Sequence, residues 1–252
     1  TDNPEGQGNE IIGDVAFKPW FKDEAMSEIE PPMPAYNLGQ QTWYDSIQAA
    51  IDAASNGDTI YVLPGLHEES LVIDRSVVLL STDGAESTTV KPSAPGSSTI
   101  ELRGSTDGVR IGDVGHGFTI IGGDGPTPAI ETAAIYLKGS HSRVRIEGNT
   151  VEANGEAAIL AEWGATVSDL VITRSVICGQ TFVGDHPAGQ GTGEQFTLHN
   201  VPRSLVYIGG VNKSDVEFSH NDVIGRAGGL NEQGAPQGNT VVSVDADNAV
   251  IR

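Results

Sequence analysis

"SIQAAIDAASNGDTIYVLPGLHEESLVI", running from Ser46 to Ile73, is the stretch whose reading decides the fold. Its first half sets Ile47, Ala50, Ile51 and Ala54 at helical spacing, with Asp45 or Ser46 as N-cap and Gly57 just past the end. Its second half changes to period two. "TIYV" (59–62) and "LVI" (71–73) read as two short β-strands joined through Pro64-Gly65. One short helix followed only by strand-like strings is the pattern that the rest of the chain continues.

Working outward, three kinds of apolar string recur in order. The first set is "TIYV" (59–62), "TIEL" (99–102), "AIYL" (134–137), "AILA" (158–161), "LVYI" (205–208) and "VVSV" (241–244). The second is "LVI" (71–73), "VRI" (109–111), "VRI" (144–146), "LVI" (170–172), "VEF" (216–218) and "AVI" (249–251). The third is "FTIIGG" (118–123), "NTVEAN" (149–154), "SVICG" (175–179) and "NDVIG" (221–225). Members of the second set lie 38, 35, 26, 46 and 33 residues apart, so they are not tandem copies of one motif. Strings this short pair poorly as hairpins but stack well in parallel, each inward side chain resting on its counterpart about 4.8 Å away. A stack of this kind needs a cap, and the opening helix supplies one. The competing architecture is an antiparallel sandwich, which calls for longer strands and hairpin turns.

Composition narrows the partners. The chain has 252 residues with Gly 32 and Pro 13, and 38% of them are hydrophobic, enough for a lean core. Lys and Arg total 14 against 34 Asp and Glu, a net charge of −20 that repels nucleic acid and anionic membranes. Polyanionic polysaccharides are repelled too unless divalent cations bridge the two, and the charge suits a saline or calcium-rich setting. A single cysteine, Cys178, precludes an intrachain disulfide. No apolar run has the length of a membrane span, and no signal peptide heads the sequence. The chain starts at Thr1 and stops inside an apolar stretch at Ile251-Arg252, so we expect a segment of a longer polypeptide, truncated at its C-terminus.

Residues 1–42 have no period and carry Pro19, Pro31, Pro32 and Pro34. They read as an extended segment, "VAFKPWF" (15–21) with Trp20 packed against the stack, and then a Pro-restricted linker from a preceding repeat. For residues 1–12 a disordered tail is the alternative.

"IQAAIDAASNGDTIYVLPGLHEESLVIDRSVVLLSTDGAESTTV" (47–90) resembles the opening segment of right-handed parallel β-helix proteins of the pectin lyase-like superfamily. "VRIEGNTVEANGEAAIL" and "VEFSHNDVIG" resemble the Asn-bearing coils of that group's periplasmic copper-maturation and surface-protein branches. The resemblance covers roughly residues 43–252 and implies an all-β, right-handed parallel β-helix of about six or seven coils with a short N-terminal capping helix. It implies no activity, because enzymes, adhesins and spacers share the scaffold. Asn149 and Asn221 fall just before strands, where their amides are expected to satisfy turn backbone.

The enzymes of the superfamily can be checked by residue type. Pectin methylesterases carry strings resembling QAVAL and DFIFG; neither occurs, and "ELRGSTDG" (101–108) offers only Asp107. Polygalacturonases carry NTD, DD, GHG and RIK; only Gly115-His116-Gly117 is present, and it runs into the strand "FTI", so His116 reads as a turn residue. Calcium-dependent pectate lyases cluster carboxylates beside an Arg or Lys, and no such cluster stands out.

One region breaks the rhythm. "QTFVGDHPAGQGTGEQFTLHNVPRS" (180–204) holds Asp185, His186, Glu194, His199 and Arg203, a set able to make a general base and an oxyanion partner. The plainer alternative packs Phe182, Phe196 and Leu198 over the coil with the polar residues in water. "GGLNEQGAPQGN" (228–239) is a second excursion, whose Asn231, Glu232 and Gln237 suit sugar hydroxyls or a cation, or simply close turns. Zinc is set aside because His186 and His199 have no third His or Cys nearby, whereas calcium fits the oxygen-rich surface, with Asp245 and Asp247 as weak candidates. No cofactor other than calcium is expected.

The function expected is a non-catalytic module of a large extracellular or cell-surface protein. It would be a rigid spacer or an adhesive, glycan-contacting surface, with polysaccharide, another surface protein or further β-helix repeats as partners. The alternative is a lyase or hydrolase acting on acidic glycans through the 180–204 loop.

Overall fold

The computed structural model of the protein describes residues 33–123, 132–154, 157–162, 164–180, 206–208, 212–226, 242–244 and 246–252. The chain divides into two units at Pro32, and the unit described is Met33–Arg252. The expectations for residues 1–32, including "VAFKPWF" and Trp20, lie outside the described residues.

Strands β1 (Ala35–Asn37) and β2 (Thr42–Tyr44) open the unit, followed by helix α1 (Ile47–Ala53). Next come β3 (Thr59–Val62), β4 (Gly65–Glu68) and β5 (Leu71–Ile73), then β6 (Val78–Ser81), β7 (Thr88–Lys91) and β8 (Ile100–Leu102). The chain continues through β9 (Ser105–Asp107), β10 (Arg110–Ile111), β11 (Thr119–Ile121) and β12 (Ala133–Leu137). After these lie β13 (Ser140–Glu147), β14 (Thr150–Ala153) and β15 (Ala157–Ala161), and β16 (Thr166–Thr173), β17 (Val176–Gln180) and β18 (Val206–Ile208). The last group is β19 (Lys213–Ser219), β20 (Asp222–Arg226), β21 (Val242–Val244) and β22 (Val250–Ile251).

Three sheets take these strands in rotation. Sheet 1 runs β2-β1-β3-β6-β10-β13-β16-β19-β22, with β9 also on β13. Sheet 2 runs β4-β7-β11-β14-β17-β20, and sheet 3 runs β5-β8-β12-β15-β18-β21. From β3 onward each round visits sheets 1, 2 and 3 and then returns to sheet 1 one place further along. All pairings among these strands are parallel; only β1 pairs antiparallel, with β2 and β3. The sandwich alternative is thereby excluded for the described residues.

Register places like upon like. Ile60, Leu79, Ile111, Ile146, Ile172 and Phe218 form one inward column of sheet 1. Val90, Ile120, Val151, Ile177 and Val223 do the same in sheet 2. In sheet 3 Leu71, Ile100, Ile135, Ile159 and Val206 are aligned. The columns merge into one core, in which a fully buried Ile or Leu contributes about 1.5–3 kcal/mol.

Helix α1 closes the start of this core as its spacing predicts: Ile47, Ala50 and Ile51 are fully buried. Ser46, rather than Asp45, is the N-cap, its hydroxyl accepting from the Ala49 amide at 3.0 Å. The Glu69 carboxylate accepts the amides of Ile47 and Gln48, both at 3.0 Å, tying the first turn to the β4–β5 corner.

Three readings are corrected. The strand β1 and its turn occupy residues that the sequence assigns to linker before residue 43; Ala35 and Asn37 alternate inward and both are buried. "TIYV" (59–62) pairs with β6 in sheet 1, and "LVI" (71–73) pairs with β8 in sheet 3, so the first members of two string sets exchange places. The two strings share one alternation and one composition, and only pairing distinguishes their sheets. Finally, β13 and β16 have 8 residues each, longer than their apolar strings, because Arg143 (φ 53°) and Asp169 (φ 51°) bend the strand without ending it.

At the corners the asparagines behave as expected. Asn149 is buried; its Oδ1 accepts the Phe118 amide at 2.9 Å, and Nδ2 donates to the carbonyls of Ile111 and Glu147 at 2.9 and 3.0 Å. Two rounds on in the same column, Asn221 Oδ1 accepts the Ser175 amide at 2.9 Å and Nδ2 donates to the Ile172 carbonyl at 2.9 Å. His116 is a turn residue, its Nδ1 lying 2.9 Å from the Ser81 carbonyl.

Candidate binding face

A repeat finer than the apolar strings emerges from the register of sheet 1. "STDGVRI" (105–111), "SHSRVRI" (140–146), "TVSDLVI" (166–172), "NKSDVEF" (212–218) and "DADNAVI" (245–251, described from Ala246 onward) occupy successive places. The second residue of each faces inward: Thr106, His141, Val167 and Lys213 are buried. The fourth takes a left-handed backbone in every copy, at Gly108, Arg143, Asp169, Asp215 and Asn248, with φ of 85, 53, 51, 52 and 59°. Asparagine, aspartate and glycine suit that conformation; Arg143 does not, and Asp107 ties its side chain down.

This arrangement puts two columns of small polar residues outward. One holds Ser105, Ser140, Thr166 and Asn212, all exposed; the other holds Asp107, Ser142, Ser168, Ser214 and Asp247. Beyond the bend the face carries charge. Arg143 pairs with Asp107, and Arg145 Nη2 grips Asp169 at 2.9 and 3.1 Å. Arg110 Nη2 bridges Asp113 at 2.6 Å and Glu147 at 3.1 Å, while Arg174 Nη1 meets Glu147 at 2.7 Å. The Arg143 hydrogen bond, helped by the Ser142 hydroxyl, holds the Asp107 carboxyl below its ordinary range. The exposed Arg143–Asp107 and Arg145–Asp169 pairs add little stability, so their effect is to fix side-chain direction and neutralise charge on a strongly acidic chain.

Behind the face lie two buried ionisable groups. His141 places Nδ1 2.8 Å from the Thr106 hydroxyl and Nε2 2.9 Å from the Lys138 carbonyl, and burial lowers its pKa. Lys213 Nζ donates to the carbonyls of Ala165 and Glu162, and burial lowers its pKa while Glu162 acts in the opposite sense. Both groups sit in closed backbone corners. Cys178 is half-buried, with burial raising its thiol pKa, the opposite of what a thiolate nucleophile needs.

Sheet 3 carries a second outer cluster. Ala133, Tyr136, Ala157 and Leu160 pack together on the side away from Ile135 and Ile159, with Tyr207 against them. The Lys138 ammonium lies 4.7 Å from the Tyr136 ring centroid, and Glu101 sits between Lys138 (3.7 Å) and Arg103 (2.6 Å).

Asp185, His186, Glu194, His199, Arg203, Asn231, Glu232, Gln237 and Asp245 lie outside the described residues. Asp247 is described: it is exposed and bridges Ser214, its amide donating to the Lys213 carbonyl at 3.0 Å. Among the described residues no three His, Cys, Asp or Glu side chains come together to hold a metal ion, and no helix is long and apolar enough to cross a membrane. The polar columns were legible in the seven-residue pattern just quoted, but apolar strings alone do not reveal them.

Comparison with known proteins returned no matching family model, no matching curated protein and no matching solved structure. The parallel all-β architecture therefore stands on pairing and register.

Proposed function

We propose that the three sheets are the walls of one right-handed parallel β-helix of the pectin lyase-like kind. The chain would serve as a non-catalytic module of an extracellular or cell-surface protein, a rigid shaft presenting a glycan- or protein-contacting face. The rotation of strands through three parallel sheets supports the winding, and the strong right-handed preference of parallel crossovers supports its hand. One observation carries the contact role: sheet 1 turns two in-register columns of small polar side chains outward, flanked by charges already paired. A flat face of repeating hydrogen-bonding groups favours an extended polar ligand over a small molecule, which prefers a concave apolar pocket.

Two measurements test this reading. Small-angle scattering should report an elongated particle, and a glycan array should capture the protein in a way that replacing Ser142, Ser168 and Ser214 by Leu abolishes. A near-spherical profile removes the shaft, and binding unchanged by the triple variant removes the face.

A lyase or hydrolase acting on acidic glycans is the second reading, and one topological observation favours it. Residues 181–205 and 227–241 link β17 to β18 and β20 to β21, so each of these long stretches leads from a strand of sheet 2 to a strand of sheet 3. Under this reading Asp185, His186, Glu194, His199 and Arg203 carry the chemistry, with Asn231, Glu232 and Gln237 binding sugar and calcium bridging the acidic partners. New unsaturated ends or reducing ends released from acidic polysaccharides in calcium would establish it, and Arg203→Ala or His186→Ala should abolish the release.

A further inference from the structure

Of the twelve asparagines in the chain, only Asn212 begins an Asn-x-Ser/Thr tripeptide, Asn212-Lys213-Ser214. The fold treats this residue differently from three of its fellows. Asn37, Asn149 and Asn221 use their side-chain amides to hold backbone or a carboxylate inside the structure. Asn212 is exposed at a bend with φ 62°; its carbonyl accepts the Val167 amide at 3.0 Å, and its side chain is bonded to none of the described residues. Lys213 faces inward, so the period of two turns Asn212 and Ser214 to the same outward side. The column leading to Asn212 contains Ser105, Ser140 and Thr166, small exposed side chains that leave room above the amide.

We propose that Asn212 is an acceptor for N-linked glycosylation. Its amide nitrogen attacks the anomeric carbon of an oligosaccharide carried on a lipid pyrophosphate. The C–N bond forms as the C–O bond to phosphate breaks; the lipid pyrophosphate leaves, and the amide gives a proton to a base of the transferase. Ser214 supplies the hydroxyl that the transferase reads two residues on. Attachment here disturbs no interior hydrogen bond and leaves the left-handed backbone unchanged. The assignment rests on the extracellular reading above, because transfer occurs on exported chains.

The full chain, placed behind a secretion signal in a glycosylating eukaryotic host, provides the test. Wild type and Ser214→Thr recovered from the medium should be heavier by one glycan, which peptide N-glycosidase removes to leave aspartate at position 212. Asn212→Gln and Ser214→Ala should be secreted at the bare mass. Secreted wild type with an unmodified Asn212, or a glycan retained in Asn212→Gln, overturns the assignment. Either result leaves the shaft reading untouched, since that depends on scattering and on the serine variants.

Discussion

Asn149 illustrates how one side chain can hold a corner. Its amide satisfies the Phe118 N–H and the Ile111 and Glu147 carbonyls in a buried place, and truncation orphans all of them. Each buried group left unpaired costs about 1–3 kcal/mol, so Asn149→Ala should lower stability by roughly 3 kcal/mol in urea unfolding. A loss below about 1 kcal/mol would mean that water replaces the amide freely. Two buried bases contribute to the response to pH. His141 has a folded pKa below its ordinary 6.5, so the unfolded chain binds the proton that the folded chain refuses. Stability from this group is complete above pH 6.5 and declines as pH falls below it. Lys213 behaves alike in a higher window: stability rises with pH from its lowered pKa up to 10.5. Urea midpoints measured against pH should show both slopes, the lower one flattened in His141→Asn and the upper one in Lys213→Met.

At the scale of elements, close stacking of corners is what the glycines permit. A Cβ on Gly117 would meet the Gly148 carbonyl oxygen at 1.8 Å, and one on Gly148 would meet the Asp113 carbonyl oxygen at 2.3 Å. Gly96, with φ +74°, has nothing within 4 Å and needs glycine for its backbone alone. Gly117→Ala should therefore cost several times as much as Gly96→Ala, whose penalty is about 1 kcal/mol. Equal melting temperatures would show that corners are not in contact. The same scale explains the legibility of the strands. Alternation of Val, Ile and Leu marked β3, β5, β8 and every strand from β10 onward, yet β1, β2, β4, β6, β7 and β9 lie in none of the three sets. GLHE exposes its leucine, TTVK and STD bring threonines inward, and the apolar VLLS was passed over. Sheet membership was misread for "TIYV" and "LVI" because alternation states which face a residue takes but not which strand lies beside it.

For the whole molecule, the register defines an interchangeable unit. Ser140 pairs with Thr166 and Val144 with Leu170, so deleting residues 140–165 joins Gly139 to Thr166 with every column preserved. That shortened chain should still unfold cooperatively. Deleting 140–164 instead shifts the register by one, turns Leu170 and Ile172 outward and should yield an unfolded or aggregated product. Should both deletions behave alike, the columns do not specify the fold. A calcium effect would belong to this scale too, given the net charge of −20: melting raised by millimolar calcium but not by equal ionic strength would indicate a bound ion.

Local pattern determined a great deal on its own: for the described residues, an all-β architecture, a single capping helix with its buried stripe, parallel stacking, and the structural duty of Asn149 and Asn221. Each follows from periodicity or from the hydrogen bonds a turn must make, which are properties of neighbouring residues. Pairing alone decided the rest. Which strings share a sheet, the seven-residue polar repeat as a continuous face, the antiparallel pairing of β1 with β3, and the burial of His141 and Lys213 all depend on residues that meet 19 to 51 positions apart in the chain. A side chain reveals its own preference in sequence, but its neighbour across a sheet is chosen by the packing of the whole.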